Sequence, residues 1–179
     1  MKRSTILTLL VAVAAMLAVA CGGSGRYVTS DGAILGTTYH ISAHGRGLTP
    51  AGIYAGMMDL DARMKASMSI FDSTSLISRV NRGLTDSLDG HLRFNLELAR
   101  RIGEQPLTEA WGFASKHATR RPNIDSLLRF VGYDKWRIEG DRVVKSDPRV
   151  RFDLNSIAKG YTVDLAAAML EEMGAEDYI

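Results

Sequence analysis

Cysteine is almost absent from this chain of 179 residues: Cys21 stands alone, so no internal disulfide can form. Histidine is scarce too. His40, His44, His91 and His117 are scattered and lack zinc-ligand spacing. There is no G-x-S-x-G, no Walker loop and no G-x-G-x-x-G, so these conventional catalytic and nucleotide signatures are missing. A net charge of +2, two tryptophans, no run of basic residues and no basic–aromatic interleaving argue against nucleic acid as a partner. No repeat-length period is visible. What remains is ordinary globular composition, 46% hydrophobic and 23% charged, enough for one good core or one domain with appendages.

The amino terminus carries information. "MKRSTILTLLVAVAAMLAVAC" has two basic residues, an apolar run from Ile6 to Ala20, and then the cysteine. The run is shorter than the ~20 apolar residues that span a bilayer. A charged start, apolar middle and small-residue end read as a secretory signal over residues 1–20. "LAVAC" followed by "GGSG" resembles a bacterial lipoprotein cleavage site, with Cys21 lipidated as the new first residue. The chain is then expected in the cell envelope, anchored through lipid, on the periplasmic side of the inner membrane. Residues 21–33 are expected to be the lipidated cysteine and a flexible tether, and 34–179 the folded domain.

Along that domain, "ILGTTYHIS" (34–42) alternates like an early strand. Thr49-Pro50 reads as N-cap and first residue of a helix with an Ile53, Met57, Leu60, Met64 stripe. A polar turn at Asp72-Ser73 precedes a short helix carrying Ile77 and Val80. Leu92, Leu96, Ala99 and Ile102 mark another amphipathic helix. "PNIDSLLRFVGY" reads as a helix closed by Gly132, and "KWRIEGDRVVKS" as a hairpin turning at Gly140-Asp141. Helices and strands mix without βαβ alternation, so the expected class is α+β. "GAEDYI" looks like a turn entering a strand that has only begun, which makes the sequence look incomplete.

The stretch "DLNSIAKGY" (153–161) is the chemically suggestive one. "VRFDL" before it alternates like a strand, and helical spacing follows. Capping by Asn155 or Ser156 would leave amides around 156–158 facing outward, an anion site suited to phosphate. Lys159 would add positive charge in the same turn. Asp153 could accept hydrogen bonds from a polar ring or sugar, and Gly160 would allow close approach of a backbone or ligand. The same residues equally describe a plain strand–cap–helix join with a solvated lysine. The residues alone leave both readings open.

Four segments in order resemble the FAD:protein FMN transferase family, the ApbE-like flavin transferases. "LGTTYHI" resembles its opening M-G-T-x-Y strand. "SMSIFDSTSLISRVN" resembles its M-S-T-Y-D-x-x-S-E-I-S-x-x-N signature. "PLTEAWGFAS" resembles P-L-x-x-x-W-G-F, and "VRFDLNSIAKGYTVD" resembles x-x-D-L-S-x-I-A-K-G-Y-x-V-D. The likeness runs over residues 34–179. It implies an α+β fold of mixed helices and antiparallel strands, FAD as substrate and Mg²⁺ as cofactor. FMN would pass from FAD to a threonine or serine hydroxyl of a partner flavoprotein, releasing AMP. By resemblance Leu35, Ser69, Ile70, Phe71, Asp153 and Lys159 fall on FAD-contacting positions. Ser156 falls where a main-chain carbonyl helps hold Mg²⁺.

The sequence also departs from the pattern. Ile70 and Phe71 replace threonine and tyrosine, and Leu76 stands where glutamate is usual. A segment of about a dozen residues ending in Ala-Phe-Asp is missing between Gln105 and Pro106. The carboxyl-terminal half, with the Asp/Thr metal ligands, is missing too. The chain as it stands is therefore expected to be inactive. Alternatives are an FAD pyrophosphatase giving FMN and AMP, or a non-catalytic flavin-binding lipoprotein.

Overall fold

The computed structural model describes residues 26–102 and 129–179. Two strands, β1 (Val28–Ile34) and β2 (Thr37–Gly45), form an antiparallel hairpin in unbroken register from Val28 opposite Ala43 to Ile34 opposite Thr37. Leu35-Gly36 connects them, with φ of 48° and 72°. Two successive positive φ values make the tight turn whose twist matches the strands. Two expectations change here. Residues 28–33, expected in the tether, are an edge strand; Leu35, expected inside a strand, is a turn residue. The apolar–polar alternation runs straight through the turn, so the pattern hid it.

β2 pairs on its other side with β5 (Ala175–Tyr178), again antiparallel, giving the sheet order β1-β2-β5. Gly45 makes this approach possible. A Cβ there would stand 2.1 Å from the Gly174 carbonyl oxygen.

Helix α1 (Pro50–Met68) begins as its sequence predicts: Thr49 caps it by accepting the Gly52 N–H, and Pro50 opens it. Its stripe of Ile53, Met57, Leu60 and Met64 is buried. Ile53, Met57 and Leu60 pack with Ile34, Ile41 and Ala43 of the sheet and with Ala166 and Leu170. The last two lie on helix α4 (Asn155–Glu172). Met64 and Met68 join a second cluster with Ile77, Val80, Leu92, Leu96, Val143, Val150 and Phe152. α1 is thus the beam shared by both cores. Burial of each such side chain stabilises by about 1.5–3 kcal/mol before entropy is counted.

Short helix α2 (Leu76–Asn81) is capped by Ser75, which accepts the Ser78 N–H, and it buries Ile77 and Val80 as expected. Asp89 accepts the Leu92 N–H at the start of α3 (Gly90–Ile102), whose Leu92, Leu96 and Ala99 are buried. Strands β3 (Trp136–Glu139) and β4 (Arg142–Lys145) form the expected hairpin, with Gly140 at φ 59°. The helix expected in "PNIDSLLRFVGY" lies largely outside the described residues. Gly132, expected to close it, leads into a 3-10 turn at Tyr133–Lys135. The stretch "VRFDL" is not a strand: residues 150–154 belong to no strand and pair with none among the described residues. The architecture is α+β, as the mixed pattern implied. No helix among the described residues is long and apolar enough to cross a membrane.

Candidate functional site

The site is built from three places far apart in sequence. The first is the Leu35-Gly36 turn. Leu35 is the one non-glycine residue at positive φ among the described residues, a conformation costing roughly 1–2 kcal/mol for a side chain of this kind. Its N–H donates to Asp61 Oδ1 of α1 at 2.8 Å, and Asp61 Oδ2 accepts from Lys65 Nζ at 2.5 Å. The Asp61 side chain is only 13% exposed. A shielded carboxylate therefore holds the strained turn down and ties up the charge of Lys65.

The second place is the loop after α1. Ser69 is the C-cap of that helix, its N–H bonded to the Lys65 carbonyl. Its own carbonyl accepts from Ser75 Oγ at 2.6 Å and Ser78 Oγ at 3.2 Å. Asp72 accepts the Thr74 N–H and hydroxyl, each at 2.7 Å, and those bonds hold its carboxyl below the usual range. Arg82 donates to the Ser73 carbonyl. The serines and aspartate of "SMSIFDSTSLIS" thus fix the loop by bonding its own backbone. On this frame Phe71 is 74% exposed, while Ile70 packs against the second core cluster.

The start of α4 is the third, and it differs from expectation. Neither Asn155 nor Ser156 caps the helix. Leu154 is the N-cap residue, without a side-chain bond, and Asp153 Oδ1 accepts the Asn155 N–H at 2.9 Å. Ile157 and Ala158 N–H groups bond the Leu154 carbonyl. The open ring of amides expected at 156–158 is therefore largely closed, and Asp153 already sits as an anion at the helix start. Lys159 is the fifth helical residue, in the second turn rather than the first. It is exposed, and among the described residues no carboxylate lies within ion-pair distance of its ammonium. Gly160 faces open space: a Cβ would meet nothing within 4 Å. The close approach expected there involves no described part of the chain.

These pieces converge on a cavity of about 250 Å³ lined by Leu35, Gly36, Met64, Lys65, Met68, Ser69, Phe71, Asn155, Ala158 and Lys159. Four of the six expected FAD-contacting residues, Leu35, Ser69, Phe71 and Lys159, thus meet in one place. Ile70 does not line it. Asp153 lines a separate 30 Å³ crevice with Trp136, Phe152 and Leu154. Ser156 is exposed on the first turn of α4, and Cys21 lies outside the described residues. A second cavity, of about 320 Å³, shares Leu35 and Lys159 and runs between β2 and α4.

Residues 35–179 match the ApbE family. The chain belongs to that family. It is 27% identical over 198 residues to the FAD:protein FMN transferase of Haemophilus influenzae and 28% identical over 193 residues to that of Vibrio cholerae. Each match takes in 95% of this chain and 57% of the relative, so the chain spans little more than half their length. The solved flavin transferase ApbE from Vibrio cholerae superposes with a TM-score of 0.76 at 24% identity, over 86% of this chain and 56% of that one. At that identity the superposition speaks for the fold.

Asp61, which holds the Leu35 turn of this ApbE-family chain beside the cavity, is a residue that pattern reading missed. Its i,i+4 spacing from Lys65 was readable and explains the ion pair. Its other partner, the Leu35 amide, lies 26 residues away and leaves no local trace. For a cation, the described residues offer no group of three or more His, Cys, Asp or Glu side chains placed to hold a metal ion. Ser156 alone does not make a metal site.

Proposed function

We propose that the 250 Å³ cavity is the FAD-binding portion of a protein FMN transferase. The observation that carries this reading is the meeting of Leu35, Ser69, Phe71 and Lys159, from three separate motifs, around one space. Phe71 offers an exposed ring on which a flat aromatic group can stack. Lys159 offers an ammonium with no carboxylate competing for it among the described residues, suited to one phosphate of the FAD diphosphate. The bonded loop at Ser69 and the tied-down Leu35 turn hold the walls in place before ligand arrives. Membership of the ApbE family and two relatives named FAD:protein FMN transferase support the same chemistry.

In the reaction proposed, a threonine or serine hydroxyl of a partner flavoprotein attacks the FMN phosphorus. The bond between the two phosphates breaks, AMP leaves, and the hydroxyl proton passes to a base. Mg²⁺, when bound, would stabilise the charge on the diphosphate. This chain's part is to hold the flavin and one phosphate. The metal ligands and the base are assigned to the portion of the longer relatives that it does not span, so the 179-residue chain is proposed to be inactive by itself. We also propose that residues 1–20 are a signal peptide. Lipidated Cys21 would then anchor the protein at the periplasmic side of the inner membrane.

Titrating FAD into the chain and following flavin fluorescence tests the reading. Lys159→Ala is expected to weaken binding about ten- to a hundredfold, corresponding to a charge-assisted bond of about 1.5–3 kcal/mol. Absence of binding by the unaltered chain would remove the flavin reading. Equal affinity of both proteins would remove Lys159 alone.

A further inference from the structure

Six of the chain's eight methionines fall among the described residues, and all six sit on two helices. Met57, Met58, Met64 and Met68 belong to α1, Met169 lies in the last turn of α4, and Met173 is the C-cap of α4. The spacing of Met169 and Met173 equals that of Gly52 and Gly56 on α1, and the two pairs meet. A Cβ on Gly56 would overlap Met169 Sδ, and one on Gly52 would stand 3.3 Å from Met173 Cε. The two glycines therefore leave a notch in α1. The Met169 sulfur fills the place where another residue would carry its side chain.

Burial divides the six. Met57, Met64 and Met68 are each no more than 4% exposed, whereas Met58, Met169 and Met173 are half-buried. An oxidant in water therefore reaches Met169 and Met173 before the interior thioethers. Sulfoxidation would put a polar oxygen on a sulfur already packed against the Gly56 backbone, with no room for it on the α1 side. At its other end α4 carries Asn155 and Lys159, which line the 250 Å³ cavity together with Met64, Lys65 and Met68 of α1. The two helices that form this seam thus also wall the cavity.

We infer that Met169 and Met173 form an oxidation-sensitive seam: hydrogen peroxide converts their thioethers to sulfoxides, and α4 loosens from α1. In each step a sulfur lone pair attacks one peroxide oxygen, the O–O bond breaks and an S–O bond forms. The sulfur gives up two electrons. The proton of the attacked oxygen passes to the departing hydroxide, which leaves as water. Methionine sulfoxide reductases restore the thioether, so the loosening is reversible. The inference stands independently of flavin binding, because it uses only the two helices.

The test treats the folded chain with hydrogen peroxide and maps its sulfoxides by peptide mass spectrometry. Amide hydrogen exchange at Thr162, Ala166 and Leu170, on the buried face of α4, is read by NMR before and after. Exchange there is expected to quicken about tenfold or more once Met169 and Met173 are oxidised, and to recover after reductase treatment. A chain with both Met169→Leu and Met173→Leu, which loses both sulfurs at similar volume, is expected to show no quickening. Met58→Leu, outside the notch, is expected to quicken like the unaltered chain. Unchanged exchange in the oxidised chain, or equal quickening in the double variant, would overturn the seam. So would sulfoxide at Met58 with Met169 and Met173 left unmodified. Where the leucines themselves disturb the notch, the reductase arm decides on the unaltered sequence: sulfoxides removed without recovery of exchange exclude the seam.

Discussion

The side-chain amide of Asn81 grips both backbone groups of Phe152: Nδ2 donates to its carbonyl and Oδ1 accepts its N–H, each at 2.8 Å. Asn81 ends α2, in the signature that contains Ser69 and Phe71. Phe152 immediately precedes Asp153 and α4. One side chain therefore does for residues 150–154 what a neighbouring strand would otherwise do, and it couples two motifs 71 residues apart. Lys145 assists from β4, its ammonium donating to the carbonyls of Val80 at 2.9 Å and Val150 at 3.0 Å.

Replacing Asn81 by alanine leaves the buried Phe152 with two unmatched backbone groups. The expected loss is about 1–3 kcal/mol per group left without a partner, reduced where water can enter. Asn81→Asp keeps the acceptor but faces a carboxylate toward a carbonyl oxygen, so it is expected to rescue little. Urea unfolding of the two variants checks this. An unaltered midpoint in Asn81→Ala would contradict it.

Asp61→Ala removes the acceptor that holds the Leu35 amide and releases Lys65. A hydrogen bond to a charged group of this kind is worth about 1.5–3 kcal/mol. The expected signature is a loss of stability together with faster amide exchange at Leu35 and Gly36. Asp61→Asn, which retains an oxygen acceptor, is expected to recover part of the stability.

Stability at acid pH has an identifiable contributor in the turn at residues 147–150. Asp147 accepts from Arg149 Nε at 2.9 Å and from Nη2 at 2.7 Å, and the bonded guanidinium holds its carboxyl down to about 2. A carboxyl with a lower pKa folded than unfolded binds more protons when unfolded, so its contribution is present above about pH 4 and is lost as pH falls towards 2. Asp147→Asn is expected to flatten the melting-temperature profile in that window alone. A parallel shift at all pH values would contradict it.

Lys145 works in the opposite range. Burial, and then the charge of Arg151, push its ammonium below the usual lysine value. The unfolded chain then holds the proton more tightly, so this group's contribution to stability rises with pH as the unfolded lysine value is approached. The neutral amine still has two N–H bonds for the two carbonyls. Subtracting the profile of Lys145→Met from that of the unaltered chain isolates the term, and a difference that falls from pH 8 to 10 would exclude it.

The proposed lipid anchor has its own test. Cys21→Ser is expected to abolish lipid attachment and to leave the precursor uncleaved or released. Mass spectrometry of the membrane fraction that finds an unmodified Cys21 in the unaltered protein would exclude the anchor.

Local chemistry in the sequence was enough to determine where α1 starts and which face of α1, α2 and α3 is buried. Thr49-Pro50 and the Ile53–Met64 stripe act within a few residues of themselves, so spacing alone reveals them. The β3–β4 hairpin was legible for the same reason: Gly140 supplies its own positive φ. The motif order likewise singled out Leu35, Ser69, Ile70, Phe71, Asp153 and Lys159, of which Leu35, Ser69, Phe71 and Lys159 line one cavity. Tertiary structure decided the rest, wherever a group's partner is distant in the chain. "VRFDL" alternates like a strand, yet its backbone is satisfied by Asn81, so it never joins a sheet. One local choice also went unread: Asn155 and Ser156 are good capping residues, yet Leu154 is the N-cap, and Asp153, two residues before Asn155, takes its amide. Leu35 reads as a strand residue, yet the β1–β2 register puts it in the turn, where Asp61 of α1 accepts its N–H. Periodicity encodes which face of a segment is apolar. It does not encode which distant group will satisfy a backbone N–H or carbonyl, and in this chain those pairings shape the cavity.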